Sequence, residues 1–231
     1  MNKMYDVLLQ LPVFQGLSYV QLNEILEKIP FSFSQHAPEE VIHERGSLSD
    51  KVIFVLNGTV RQITPTFGDR IRIVQDFTGP HTLSFYYLFG AETRSISQLE
   101  AVTQVGLMQV DKMKFVQMLQ QNEISMVNVM NMLSTHAQKQ HVAMEFTGLA
   151  DPMLRLASWL LAFTDRKSTR TTVEASEEAW QSLLRVDNAS FWRCVSMLEG
   201  RECLEMEKGV LKLTDRYALR RFVGEKTIPK W

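Results

Sequence analysis

With 231 residues, 45% of them hydrophobic and 22% charged, the chain has the make-up of a soluble globular protein of one large or two modest domains, which excludes disordered and fibrous classes. Its apolar runs are too short to span a bilayer, and Met1 to Gln10 lacks a signal-like apolar core, so a cytoplasmic protein without a membrane partner is expected. The net charge of −1 is unevenly spread: 11 basic and 14 acidic residues lie up to Ala150, and 14 and 12 from Asp151 onward, an excess that points to a polyanion partner for the C-terminal part.

From Leu17 to Ile29 apolar residues recur at helical spacing, with Ser18 as N-cap and Pro30 as stop. Between Phe31 and Val110 the pattern turns to short β-rich runs (Val52 to Leu56, Thr59 to Thr64, Arg70 to Phe77, Val102 to Val110). Glycine-bearing turns punctuate them, as in a small antiparallel barrel or sandwich. Asn57-Gly58 predicts a type I′ hairpin, because that turn needs positive φ at two successive residues. After Asp111, an N-cap, a short helix to Gln121 and a long one from Ile124 to Phe146 follow.

The long helix carries two adjacent rows rich in apolar residues, which implies contact with the barrel and with a second helix. A parallel dimer seam through Met126, Val129, Met130, Leu133, Ala137 and Met144 fits, as does intramolecular packing. Gly148 stops this helix and Asp151-Pro152 opens the next. The expected division is therefore 1–121, an effector-sensing barrel with flanking helices; 122–150, dimerisation helix and hinge; and 151–231, a helix, helix, turn, helix and wing.

Two cysteines, Cys194 and Cys203, cannot make a four-thiolate site within one subunit, so no iron–sulfur cluster is expected. No metal-ligating set and no catalytic constellation is present: no nucleophile elbow, phosphate-binding loop or His-Glu-x-x-His motif. The chain does not read as an enzyme.

The segment Leu11 to Leu17 (Leu-Pro-Val-Phe-Gln-Gly-Leu), the run Gly46 to Gly58, Arg94-Ser95 followed by Ala101, Thr103 and Val105, and Arg155 to Ala157 with Leu160-Leu161 all keep a fixed order. So do Arg193 with Met197 to Glu199, and Leu211 to Leu213. Taken together they resemble the bacterial Crp/Fnr family over nearly the whole chain. The resemblance implies an α+β protein: an N-terminal antiparallel β-barrel, jelly-roll-like and cyclic nucleotide-binding-like, with a long dimerisation helix, then a C-terminal winged helix-turn-helix domain. It also implies a homodimeric transcription regulator whose partners are a double-stranded DNA operator, a small-molecule effector that the sequence leaves unknown, and RNA polymerase.

In the sensor, the resemblance makes Arg94 the cation for a ligand phosphate and Ser95 a donor to the same group. The family's glycine-glutamate pair falls on Leu83 and Ser84, which removes the ribose-binding carboxylate and speaks against cyclic AMP. The aromatic run Phe85 to Phe89 either lines a pocket or plugs the barrel. Gln140 and His141 fall where relatives touch the ligand's far end. Haem is not expected, since no attachment motif accompanies His136 or His141.

In the DNA domain, the resemblance places Asn188, Ala189, Ser190 and Arg193 at the start of the recognition helix, with Asp187 as its cap. Arg193 suits guanine and Asn188 adenine. Arg185 stands where the family turn has glycine, either harmlessly or toward phosphate, and Gln181 where it has alanine. Lys208, Lys212, Arg216, Arg220 and Arg221 add basic character, though a solvated helix face carries charge anyway. These departures leave open an alternative: a nucleotide-sensing or protein-interaction module with weakened or lost DNA binding.

Overall fold

The computed structural model describes residues 3–83 and 86–226. Helix α1 (Lys3–Gln10) leads through a short 3-10 turn at Pro12–Phe14 to α2 (Tyr19–Lys28). Ser18 begins α2 with a reciprocal cap: its hydroxyl accepts from the Gln21 amide while the Gln21 side chain accepts from the Ser18 amide.

Eight strands follow: β1 (Ser32–His36), β2 (Val41–His43), β3 (Lys51–Asn57), β4 (Thr59–Thr66), β5 (Ile71–Thr78), β6 (His81–Thr82), β7 (Gln98–Ala101) and β8 (Val105–Asp111). They pair in the orders β1-β8-β3-β6 and β5-β4-β7-β2, the arrangement of a jelly roll. Val55 and Leu107 from one sheet share a core with Val60, Phe77, Leu99 and Ala101 from the other. Here Arg61 forks onto the nearly buried Asp76, Nε to Oδ1 at 2.8 Å and Nη2 to Oδ2 at 3.0 Å.

Asn57-Gly58 is a bend, but not the expected hairpin. β3 and β4 belong to different sheets, so the bend is a corner between layers. Only Gly58 takes a positive φ, and a Cβ there would sit 2.2 Å from the Gln104 carbonyl oxygen. Turn chemistry specifies where a chain bends; strand pairing is decided by long-range contacts that a local motif does not contain.

Asp111 caps α3 (Lys112–Gln121), accepting from the amides of Met113 and Lys114. Next come α4 (Glu123–Thr147), α5 (Pro152–Phe163) capped by Asp151, β9 (Arg170–Ala175), α6 (Glu177–Leu184) capped by Ser176, and α7 (Asn188–Glu199) capped by Asp187. The hairpin β10 (Leu204–Glu207) and β11 (Val210–Leu213) turns through Lys208 and Gly209, both at positive φ, before α8 (Arg216–Lys226).

Two compact units emerge. One takes the residues up to Gln62 together with Asp76–His136; the other takes Ile63–Gln75 and the chain from Ala137 onward. The dividing point on the long helix is thus His136, and the tip of the β4-β5 hairpin is counted with the C-terminal unit. There β5 bonds to β9, and Ile71 and Ile73 join Leu156, Leu160, Trp180 and Phe191 in one buried cluster. Such β-branched residues read as ordinary strand in a sequence, with no mark of which core they enter.

Candidate nucleic-acid interface and sensor segment

In the C-terminal unit, α7 buries Phe191, Cys194, Val195 and Leu198 and turns Asn188, Ala189, Trp192, Arg193, Ser196 and Met197 outward. The helix therefore offers two exposed residues per turn over three turns. Asp187 accepts from the Ser190 amide at 2.8 Å, and that bond first, then the Ser190 hydroxyl, holds its carboxyl below the ordinary aspartate value. Ser190 is thereby committed to the cap. Arg193 is exposed and makes no hydrogen bond among the described residues.

Trp192, Ser196 and Met197 were not among the expected contact residues. Trp192 is 38% exposed and Met197 47%, large apolar surface on a helix otherwise sealed inside. The buried stripe at 191, 194, 195 and 198 was readable by period, so its complement was too.

The turn before α7 is held from below. Arg155, on the first turn of α5, donates Nη2 to the Leu184 carbonyl at 2.5 Å and Nη1 to the Leu149 and Ala150 carbonyls. Arg185 takes the left-handed conformation (φ 52°, ψ 52°) in which α6 ends, and points into solvent. Gln181 is half-buried, its carbonyl accepting from the amides of Arg185 and Val186.

The wing is charge-balanced. Lys212 pairs across the hairpin with Glu205 at 3.1 Å, and Lys208 lies 3.8 Å from Glu207. Arg216 faces inward: it bonds to the Thr164 hydroxyl and the Leu161 carbonyl at the end of α5. Arg220 and Arg221 are exposed on α8. Burial pushes both the Cys194 and Cys203 thiols up, so neither is a ready nucleophile.

In the N-terminal unit, Arg94 donates Nη1 to the Gly46 carbonyl at 2.8 Å, and its amide donates to Glu92 Oε1 at 2.9 Å. The Ser95 hydroxyl donates to the Ser97 carbonyl at 2.8 Å and accepts from the Ser97 amide. Backbone bonds from Gly46 and Ser49 to Ser95 and Thr93 zip the two loops together. Both side chains are thus engaged by the protein itself. Leu83 is 2% exposed within the core between the sheets, filling the position a glycine would leave open. Ser84 lies outside the described residues, as does Phe85.

The rest of the aromatic run divides its labour: Leu88 is buried, Phe89 is exposed, and Tyr86 stacks on His136 with ring centroids 3.6 Å apart. Burial, with Glu92 nearby, raises the Tyr87 hydroxyl above its ordinary value. In the second unit, Gln140 is half-buried and His141 is exposed, its Nε2 3.6 Å from Glu145. Among the described residues no three His, Cys, Asp or Glu side chains could hold a metal, and no helix is long and apolar enough to cross a membrane.

Of the expected dimer residues, Met126, Met130, Leu133, Ala137 and Met144 are exposed, Met130 to 58%. Val129 is a correction: at 5% exposure it lies in the N-terminal core with Phe115 and Met118. The helix inserts the face of Ser125 and Val129, while Asn128 fastens it by donating to the carbonyls of Val13 and Gln15. The outward row Met126, Met130, Leu133, Ala137 steps by four, three and four, a heptad spacing.

No protein-family model matches the chain, and no curated protein matches it. Solved structures do. The catabolite activator protein of Thermus thermophilus is similar over 94% of this chain and 100% of its own, at 14% identity and TM-score 0.54. The c-di-GMP responsive global regulator CLP of Xanthomonas campestris is similar over 86% of this chain and 100% of its own, at 15% identity and TM-score 0.50. The sensor domain of the transcriptional regulator DNR from Pseudomonas aeruginosa covers 61% of this chain and 94% of its own, at 17% identity and TM-score 0.51. The chain therefore has the fold of these regulators: a jelly-roll unit, a long helix and a winged helix-turn-helix.

Proposed function

We propose that the protein is a homodimeric DNA-binding transcription regulator of the Crp/Fnr type, responsive to an effector other than cyclic AMP. One observation carries the reading: α7 is capped, seated on a continuous core and braced by Arg155, yet turns Asn188, Trp192, Arg193 and Ser196 outward to solvent. A helix so held suits a major groove, where Arg193 forks onto guanine O6 and N7 and Asn188 onto adenine. The names of the three similar structures, an activator protein, a global regulator and a regulator's sensor domain, support the same reading.

The exposed heptad row of α4 gives a second copy a surface to pack on, and two copies give a two-fold operator. The effector reading rests on the sensor segment as it stands. Leu83 is buried in the core between the sheets, Arg94 braces Gly46, and the aromatic run supplies apolar and planar surface in place of a ribose carboxylate.

Selection of random duplexes on the full-length protein tests this. The expected outcome is an inverted repeat with half-sites about 10–10.5 base pairs apart, and relaxed preference in Arg193→Ala with a loss of about 1–3 kcal/mol on the selected site. Enrichment of no motif at all overturns it. Millimolar cyclic AMP is expected to leave the melting temperature unmoved.

The wing favours a second reading. Its two lysines are both set against glutamates, so the wing adds little net cationic surface, as in an interaction module that has lost DNA binding. The salt dependence of random-duplex binding separates the two: a steep slope belongs to the regulator.

A further inference from the structure

Trp192 is the outer end of a ladder of rings in the C-terminal unit. Trp159 meets Trp180 edge-on with centroids 5.7 Å apart, Trp180 stacks on Phe191 at 6.2 Å, and Phe191 meets Trp192 at 5.4 Å with the planes 61° apart. Trp180 and Phe191 are fully buried, so the rungs beneath Trp192 are fixed by the core. Trp192 itself is 38% exposed, its indole propped at a defined angle on that support. A rigid ring with few torsions to lose docks with little ordering cost.

The period of α7 sets this ring beside its polar contacts. At about 100° per residue, the buried stripe of Phe191, Cys194, Val195 and Leu198 puts Ala189, Arg193 and Ser196 at the centre of the opposite face. Trp192 then lies on one shoulder with Asn188, and Met197 on the other. From Asn188 to Met197 the face carries no carboxylate. The acids at its two ends are both engaged: Asp187 accepts from the Ser190 amide at 2.8 Å and Glu199 from the Met206 amide at 2.9 Å.

One guanidinium, one carboxamide and one hydroxyl thus share an acid-free surface with a propped apolar ring. Such a face fits a partner that shows hydrogen-bond acceptors interrupted by apolar groups. The DNA major groove is a partner of this kind: guanine offers the acceptors O6 and N7, and thymine adds the C5 methyl as an apolar mark.

We infer that Trp192 reads a thymine methyl in the same half-site as the base contacted by Arg193, selecting one T·A pair by apolar contact without a hydrogen bond. This rests on the reading of α7 as a DNA-recognition helix and adds to it a residue and the base it selects.

The selected duplex tests the assignment, with each thymine of a half-site replaced in turn by deoxyuridine, which removes the methyl and nothing else. One position is expected at which the full-length protein binds about three- to fourfold more weakly, the loss that goes with one buried methyl group. In Trp192→Ala the same replacement should cost nothing, because the partner of the methyl is gone. Trp192→Gln, which keeps a side chain over Phe191, guards against loosened packing and should give the same result with an unchanged circular dichroism spectrum. A selected half-site without thymine, deoxyuridine tolerated at every position, or a penalty that persists in both variants overturns the role of Trp192 and leaves α7 as a reading helix. Enrichment of no motif at all overturns that reading, and this role with it.

Discussion

Arg94, in the N-terminal unit, gives its guanidinium to the Gly46 carbonyl, whereas the guanidinium of Arg193, on α7, is exposed and makes no hydrogen bond among the described residues. The sequence put both forward as ligand contacts on the same resemblance. Their surroundings separate them: Arg94 and Ser95 lie in two loops zipped by backbone bonds, while Arg193 stands on a helix whose own polar needs are met by Asp187. An arginine that braces a loop must be released before it can hold a phosphate, and an exposed one need not be. The sensor segment is thus built first as structure and the α7 face as free surface.

Removing a charge buried on the sensor side gives the largest expected effect. Asp76→Ala removes the bidentate partner of Arg61, the Glu100 carboxylate lying farther off at 3.7 Å, and should cost about 3 kcal/mol in urea unfolding. A loss below about 1 kcal/mol would mean that the unit does not rely on its inward ion pair.

Next comes the pair of arginines. Arg94→Ala removes a charge-assisted bond at an exposed site and should cost about 1 kcal/mol. Arg193→Ala should stay within about 0.5 kcal/mol of the parent stability while losing duplex preference. If the two effects on stability were equal, the contrast between braced and free arginines would collapse.

The smallest effect concerns the cap that leaves α7 free to read. Asp187 is held below the aspartate value of 3.8, so its contribution is fully present above that value and lost as pH falls through the folded pKa. Asp187→Asn keeps an acceptor without the titration. Melting temperatures should therefore favour the parent at pH 7 and approach the variant's as pH falls below 3.8; parallel curves would remove Asp187 as the titrating cap.

Helix boundaries were legible because capping is local: Ser18, Asp111, Asp151 and Asp187 each sit one residue before a helix and accept from its first amides. The start of α7 at Asn188, behind its Asp187 cap, was legible likewise. Among the candidate contacts, Arg193 and Asn188 were found, while Trp192, Ser196 and Met197 were passed over although the buried stripe of α7 implied them. Strand β9 went unread, since its Arg-Thr-Thr-Val-Glu-Ala sequence gains strand character only from β11 on one side and β5 on the other.

By itself, then, the amino-acid sequence determined the helices, most of their caps and the buried stripe of α7, all of which depend on residues within about one helical turn of each other. Tertiary structure alone decided that Asn57-Gly58 is a corner and not a hairpin, and that Val129 faces the core while Met130 faces out. It also decided that Arg94 is spent on Gly46. Each of these joins residues distant in sequence, and such pairings are fixed by packing and backbone hydrogen bonds that leave no local mark.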